Sequence, residues 1–185
     1  MTLTQAALGK TTLLRQTLLA LGGAAFIAVA AQVSIGWPVP ITLQTLAILI
    51  VGLTFGARLA LATMIAYLGY GAMGLPVFAN GGSVASLVGP TAGFLYGFVA
   101  MAWLAGLAVE KGIARGAVST ALVAIALSAL IYIPGLAWPA AILGKSMPEL
   151  WAGWMAPFLI GDAIKAVIAA LVVTGAWKAL AGRNA

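Results

Sequence analysis

Apolar runs of about 20 residues, separated by short polar or Gly- and Pro-rich joints, organise this chain from end to end. They fall near 17–35, 41–56, 58–75, 89–109, 117–137 and 157–178. A helix of about 20 apolar residues crosses the roughly 30 Å hydrocarbon core of a bilayer. The pattern therefore predicts six transmembrane helices in an all-α polytopic membrane protein, with 1–185 as a single membrane domain. The second run is short unless Pro40 opens it, and proline suits a first helical turn, where its missing N–H would have no partner anyway. Glycine and proline punctuate the joints at Gly36-Trp37-Pro38-Val39-Pro40, Gly74-Leu75-Pro76, Asn80-Gly81-Gly82, Gly89-Pro90, Trp138-Pro139 and Pro148.

Composition sharpens the same picture. The chain is 64% hydrophobic and 6% charged, far from the roughly 25% charged share of soluble domains. Met1 to Gln16 is polar, with Lys10 and Arg15, and the apolar run behind it exceeds a signal h-region and lacks a clear cleavage context, so the first helix is expected to stay. With the amino terminus inside, Lys10, Arg15, Arg58, Lys111, Arg115, Lys178 and Arg183 are cytoplasmic, Lys145 is outside and Lys165 lies in the membrane. That asymmetry predicts cytoplasmic termini and outward loops at 36–40, 76–88 and 138–156. Trp37, Trp138, Trp151 and Trp154 then fall at the outer boundary, where an amphipathic ring sits well between lipid and water. The net charge of +6 comes from basic residues scattered singly between apolar runs, which fits a lipid bilayer as partner and not nucleic acid.

Cysteine and histidine are absent and Glu110, Glu149 and Asp162 are the only carboxylates, which removes thiolate or imidazole metal sites and Ser-His or Cys-His catalysis. No enzyme, metal or cofactor is expected. Gly9-Lys10-Thr11 copies the end of a phosphate-binding loop, but Thr4 stands where the first glycine belongs and no strand precedes it. Gly81-Gly82-Ser83-Val84-Ala85 nearly spells a nucleophile elbow but ends in alanine, with no histidine to activate the serine.

Asp162 and Lys165 remain, three residues apart in the last apolar run. That spacing puts them on one helix face. Ionisable groups at membrane depth are costly unless paired or turned toward a polar cavity, so they mark a ligand site, against the alternative of a pair that only locks two helices. If Pro157 opens the helix, Asp162 lies on the order of 8 Å below its start and Lys165 about 12 Å, within reach of an outward cavity. Asn80 and Gln44 join them as ligand candidates, weighed against turn chemistry at Asn80-Gly81-Gly82 and, for Gln44 and Thr42, simple satisfaction of hydrogen bonds. Tyr96 is kept as a ligand candidate too, although residues such as it and Phe94 more often pack than stack on a ligand. Ala20, Ala24 and Ala28 form a small-residue ladder on the first helix, open to an external partner or to internal packing. Gly89, Gly93 and Gly97 form another on the fourth, expected to pack within the bundle.

With these residues placed, the chain resembles the BioY family, the biotin-capturing S components of energy-coupling factor (ECF) transporters. The matching stretches are Pro38-Val39-Pro40-Ile41-Thr42-Leu43-Gln44-Thr45, Gly74-Leu75-Pro76-Val77-Phe78-Ala79, Gly89-Pro90-Thr91-Ala92-Gly93-Phe94-Leu95-Tyr96-Gly97-Phe98 and Pro157-Phe158-Leu159-Ile160-Gly161-Asp162-Ala163-Ile164-Lys165. Ala92 stands where the family pattern has a glycine. The resemblance implies an outward pocket for biotin, with Asn80, Asp162 and Lys165 at ligand-associated positions. Lys165 would hold the valerate carboxylate or neutralise Asp162. It also implies a membrane T component and ATPase subunits as partners in a bacterial inner membrane, with Ala20, Ala24 and Ala28 resembling the docking surface. The alternatives are an S component for another small vitamin or precursor, and a membrane assembly subunit without transport.

Overall fold

A computed structural model describes residues 2–9, 11–36 and 39–182. Among them the chain is almost wholly helical. A short α1 (Leu3–Leu8) is closed by a capping box, in which the Thr2 hydroxyl accepts from the Gln5 N–H and the Gln5 side chain accepts from the Thr2 N–H. α2 (Leu13–Gln32) starts at Thr12, whose side chain accepts from the Arg15 N–H. Two short antiparallel strands, β1 (Ser34–Ile35) and β2 (Ile41–Thr42), pair Ser34 with Thr42 and bring the chain to α3 (Gln44–Phe55). α4 (Ala57–Ala72) follows after the single residue Gly56, whose φ of 82° makes the sharp joint. Glu110 Oε1 accepts from the Ala57 N–H at 2.9 Å, capping α4 from α5 (Ala92–Glu110). α6 (Ala117–Leu130) and α7 (Tyr132–Leu143) are one rod broken at Ile131. α8 (Met147–Leu150) leads through a π-turn and a 3-10 turn into α9 (Leu159–Gly182).

α3 sits near the centre, largely buried, with a partly exposed stripe of Leu46, Ile50 and Thr54. Ala47, Ile48, Leu49, Val51 and Leu53 are all in the core. α5 crosses it closely: a Cβ on Gly52 would stand 2.7 Å from Ala105 Cβ and 2.8 Å from the Ala102 carbonyl. α2, α4 and α9 pack around this pair, and α7 leans on α5 where a Cβ on Gly93 would strike the Pro134 carbonyl. The glycine ladder of α5 thus packs inside the bundle as expected, Gly93 and Gly97 both against the α6–α7 rod, with Gly89 in the preceding loop.

Each apolar run holds a helix, but their lengths differ from expectation. Leu13–Gln32, Ala92–Glu110, Ala117–Leu143 and Met147–Gly182 are long and apolar enough to cross a membrane. This is a multi-pass membrane protein. α3 has 12 residues and α4 has 16, about 18 and 24 Å at 1.5 Å per residue, short of the hydrocarbon thickness.

The expected outer loop at 138–156 is a second correction. α7 continues through Trp138 and Pro139 to Leu143, and 147–158 is a chain of helical turns. Proline is tolerated inside a membrane helix where neighbouring groups compensate the lost N–H. Trp154 is a third correction: it is buried, not at a lipid–water boundary, whereas Trp151 is exposed and Trp138 half-buried.

The alanine ladder takes the internal one of its two readings over most of its length. Ala20 and Ala24 are buried and Ala28 half-buried, because this face of α2 packs on α3 and α4, which weighs against the ladder as a docking surface. Trp37, Pro38, Lys10 and Arg183 lie outside the described residues.

Candidate ligand-binding site

Near the first turns of α3 and α9, and beside the α6–α7 break, the bundle opens into a cavity of about 190 Å³. On the same measure a water needs roughly 10–15 Å³, so the space suits an organic molecule, not a few waters. Its walls combine the aromatic residues Phe78, Phe94, Phe98, Tyr132, Trp154 and Phe158 with the polar residues Thr42, Gln44, Thr45, Asn80, Ser86, Thr91, Asp162 and Lys165. Such a mix of apolar lining and placed polar groups is what orients a small molecule.

Asp162 and Lys165 both line it and are buried, 6% and 9% exposed. Asp162 lies in the first turn of α9, where unpaired N–H groups and the helix dipole favour a carboxylate. Lys165, one turn on, donates from Nζ to Asp162 Oδ1 at 3.0 Å and to Thr45 Oγ1 at 3.3 Å. The other carboxylate oxygen, Oδ2, accepts from the Tyr132 hydroxyl at 2.6 Å. The chain Tyr132–Asp162–Lys165–Thr45 thus ties α7, α9 and α3 together across the cavity wall. An ammonium has three N–H groups. Two are committed here, and one is left for a ligand.

Gln44 lines the cavity at the start of α3. Its N–H donates to Thr42 Oγ1, the Thr42 hydroxyl donates to its Oε1, and its Nε2 donates to the Tyr67 hydroxyl at 2.7 Å. Asn80 is exposed at the rim, on a turn where its φ is 56° and that of Gly81 is 71°. Asparagine and glycine tolerate this left-handed region, so the turn reading of Asn80-Gly81 is correct alongside its place on the cavity. Its Oδ1 accepts from the Ser34 hydroxyl at 2.6 Å, leaving the amide N–H groups available.

Tyr96 is not brought to the site. It is 43% exposed, its hydroxyl donates to the Leu87 carbonyl, and its ring packs edge-on against Trp138 at 5.9 Å. Two residues earlier, Phe94 takes the inward face of α5 and lines the cavity. Tyr132, Thr45, Trp154 and Phe158 also line the site and were not among the residues predicted for it; Thr45 and Phe158 stand in the family-like stretches, whereas Tyr132 carried no sequence signal of its own. The break at Ile131, which aims Tyr132, falls inside an unbroken apolar run.

The family model of the BioY family matches residues 3–182. The biotin transporter BioY of Rhizobium etli is 37% identical over 151 residues, covering 76% of this chain and 79% of that protein. That of Rhodobacter capsulatus is 38% identical over 153 residues, 76% of this chain and 80% of the relative. A probable biotin transporter BioY of Pyrococcus horikoshii is 33% identical, covering 80% and 87%. The crystal structure of an S-component for biotin from an ECF-type ABC transporter shares the fold, with TM-score 0.79 and 23% identity over 91% of this chain and 95% of that one. Matched from its first short helix to the end of α9, and similar over three quarters of its length to several such transporters, the chain belongs to the BioY family.

Proposed function

We propose that the cavity binds biotin and that the protein takes the vitamin across the bacterial inner membrane as the substrate-specific subunit of an ECF transporter. The observation that carries this reading is the buried Asp162–Lys165 pair opening onto an aromatic hollow in a chain of the BioY family. A pair meant only to join helices needs no space beside it.

Biotin presents a ureido group, with N–H donors flanking a carbonyl, on an apolar bicycle with a valerate tail. Asp162, held by Tyr132 and Lys165, keeps lone pairs free to accept a ureido N–H. The uncommitted N–H of Lys165 donates to the ureido carbonyl, and the aromatic walls enclose the bicycle. This orientation sends the tail carboxylate toward the rim, close to water and away from the charge of Asp162. There Asn80 offers amide donors, since its oxygen already serves Ser34. Lys165 then neutralises Asp162 in the empty protein and reads the head group in the loaded one.

Six membrane passes with cytoplasmic termini fit this role. α3 and α4 complete the passes with the residues flanking them, and the positive-inside asymmetry places the cavity outside. α1 and the far end of α3 meet through the Thr4 hydroxyl, which donates to the Thr54 carbonyl on the side away from the cavity. A T component and ATPase subunits supply the energy, in keeping with the ECF-type ABC transporter to which the structurally similar S-component belongs. With Ala20 and Ala24 covered, such a partner meets α2 on its open stripe of Leu14, Leu18, Leu21, Ala25 and Val29. Titration of the purified protein with radiolabelled biotin tests the reading. Saturable binding at one site per chain is expected, and absence of binding by folded protein would return the pair to a purely structural role.

A further inference from the structure

One face of α4 carries Ala60, Met64, Tyr67 and Gly71 at helical spacing, and all are buried. Tyr67 is the largest of them and is fully buried. A phenol so placed needs partners for its hydroxyl, because an unpaired buried polar group is costly. It has one on each side. The hydroxyl accepts from Gln44 Nε2 at 2.7 Å and donates to the Val77 carbonyl at 3.0 Å.

Those partners belong to two different walls of the cavity. Gln44 lines it from the first turn of α3, and Val77 precedes Phe78, Ala79 and Asn80, which line it from the outer loop. Tyr67 itself does not reach the cavity. Its ring meets Phe78 edge-on, with centroids 5.2 Å apart, and Phe78 lies over Gly71, where a Cβ would collide with the ring. The loop is closed on itself by the Phe78 N–H donating to the Gly82 carbonyl. From the α2 side, Gln32 Nε2 donates to the Pro76 and Phe78 carbonyls at 3.4 and 3.2 Å.

The geometry points to Tyr67 as a positioning residue of the ligand site: its hydroxyl registers the loop bearing Phe78 and Asn80 against the Gln44 end of α3. Gln32 and Ser34 tie the loop toward α2 and β1, whereas the Tyr67 hydroxyl is the link that reaches Gln44 on α3. Its residues from Ala72 to Pro76 are exposed, and Asn80 is exposed at its tip. A side chain outside the cavity therefore governs how long the rim stays closed, and release of the ligand, more than capture, depends on it. This rests on the biotin reading for its ligand, though not for its geometry.

The test is Tyr67→Phe, which keeps the ring and its contact with Phe78 and removes the hydroxyl. Biotin release by isotope dilution is expected to be about tenfold faster, with association nearly unchanged. Amide exchange in the empty protein should quicken over 77–82 and at the start of α3. Thr4→Val serves as the control, since it removes a comparable hydrogen bond at the far end of the bundle and should leave release unaltered. Wild-type release and loop exchange in Tyr67→Phe, or equal changes in Thr4→Val, would overturn the assignment. Wild-type protein supplies a second measurement that needs no variant: adding biotin should protect 77–82 and the first turn of α3 together. Protection of one without the other also overturns it. Failure of the wild type to bind biotin would sink the ligand instead, with exchange in the empty variant still deciding the role of Tyr67.

Discussion

Replacing Asp162 by asparagine probes the site most directly, since shape is kept and charge is lost. In the empty protein the carboxylate takes the Tyr132 hydroxyl on one oxygen and the Lys165 ammonium on the other. An amide keeps one oxygen and presents an NH2 group where the second was. Its oxygen can still accept from Lys165 and its NH2 can donate to the Tyr132 oxygen, but the Tyr132 hydrogen bond then runs in reverse and Lys165 is left with neutral acceptors only, the amide and the Thr45 hydroxyl. A hydrogen bond to a charged group contributes about 1.5–3 kcal/mol. Loss of one such bond to the ureido N–H therefore predicts affinity weaker by about 10- to 150-fold. A separate effect acts on the fold, because removing one member of a buried ion pair strands the other, at about 3–5 kcal/mol. The two are resolved by pairing radiolabelled biotin titration in detergent with thermal melting in the absence of ligand. Asp162→Asn should fail in both assays. The neutral double variant Asp162→Asn/Lys165→Met should recover melting temperature while binding stays lost. An Asp162→Asn protein that melts like wild type and binds biotin within about twofold of it would refute the assignment of this carboxylate to the ligand.

Other outcomes follow from the packing. Gly93→Val should prevent correct assembly or lower the melting temperature sharply, since its Cβ would meet the Pro134 carbonyl and lie 2.7 Å from Trp138 Cβ; a wild-type melt would contradict the α5–α7 contact. Ala24→Leu should lose about 1–3 kcal/mol of stability through overpacking at a fully buried position, read by thermal melting with and without biotin. Ala25→Leu, on the outward face, should melt normally. Tyr96→Phe should leave biotin affinity within about twofold, because its hydroxyl serves the Leu87 carbonyl outside the cavity; a large loss in titration would place it back at the ligand.

The helices were legible one by one, and their arrangement was not. Length and apolarity alone located every long helix, while the joint between α3 and α4 turned out to rest on Gly56, whose positive φ makes the sharp turn. Asp162 and Lys165 stood out for the same kind of local reason: a charge among apolar residues must have a polar destination. The boundary errors are of another origin. Trp138-Pro139 read as a joint, yet proline continues a membrane helix when its neighbours absorb the lost N–H.

Which side of each helix faces inward was decided only by the fold. In a soluble protein the wet face is polar, and the pattern tells inside from outside. In a bilayer both lipid and core are apolar, so the two faces of α2 or α5 look alike in sequence. Ala20 and Ala24 therefore offered an outward ladder on paper and turned out to be covered, while Tyr96 turned away and Phe94 turned in. Tyr132 reached the cavity for the same reason, from a stretch whose composition said only that it was greasy. The sequence alone determined a membrane protein with a charged pair at depth; the tertiary structure decided what surrounds that pair, because close packing of small residues, not hydrophobicity, sets the rotation of each helix.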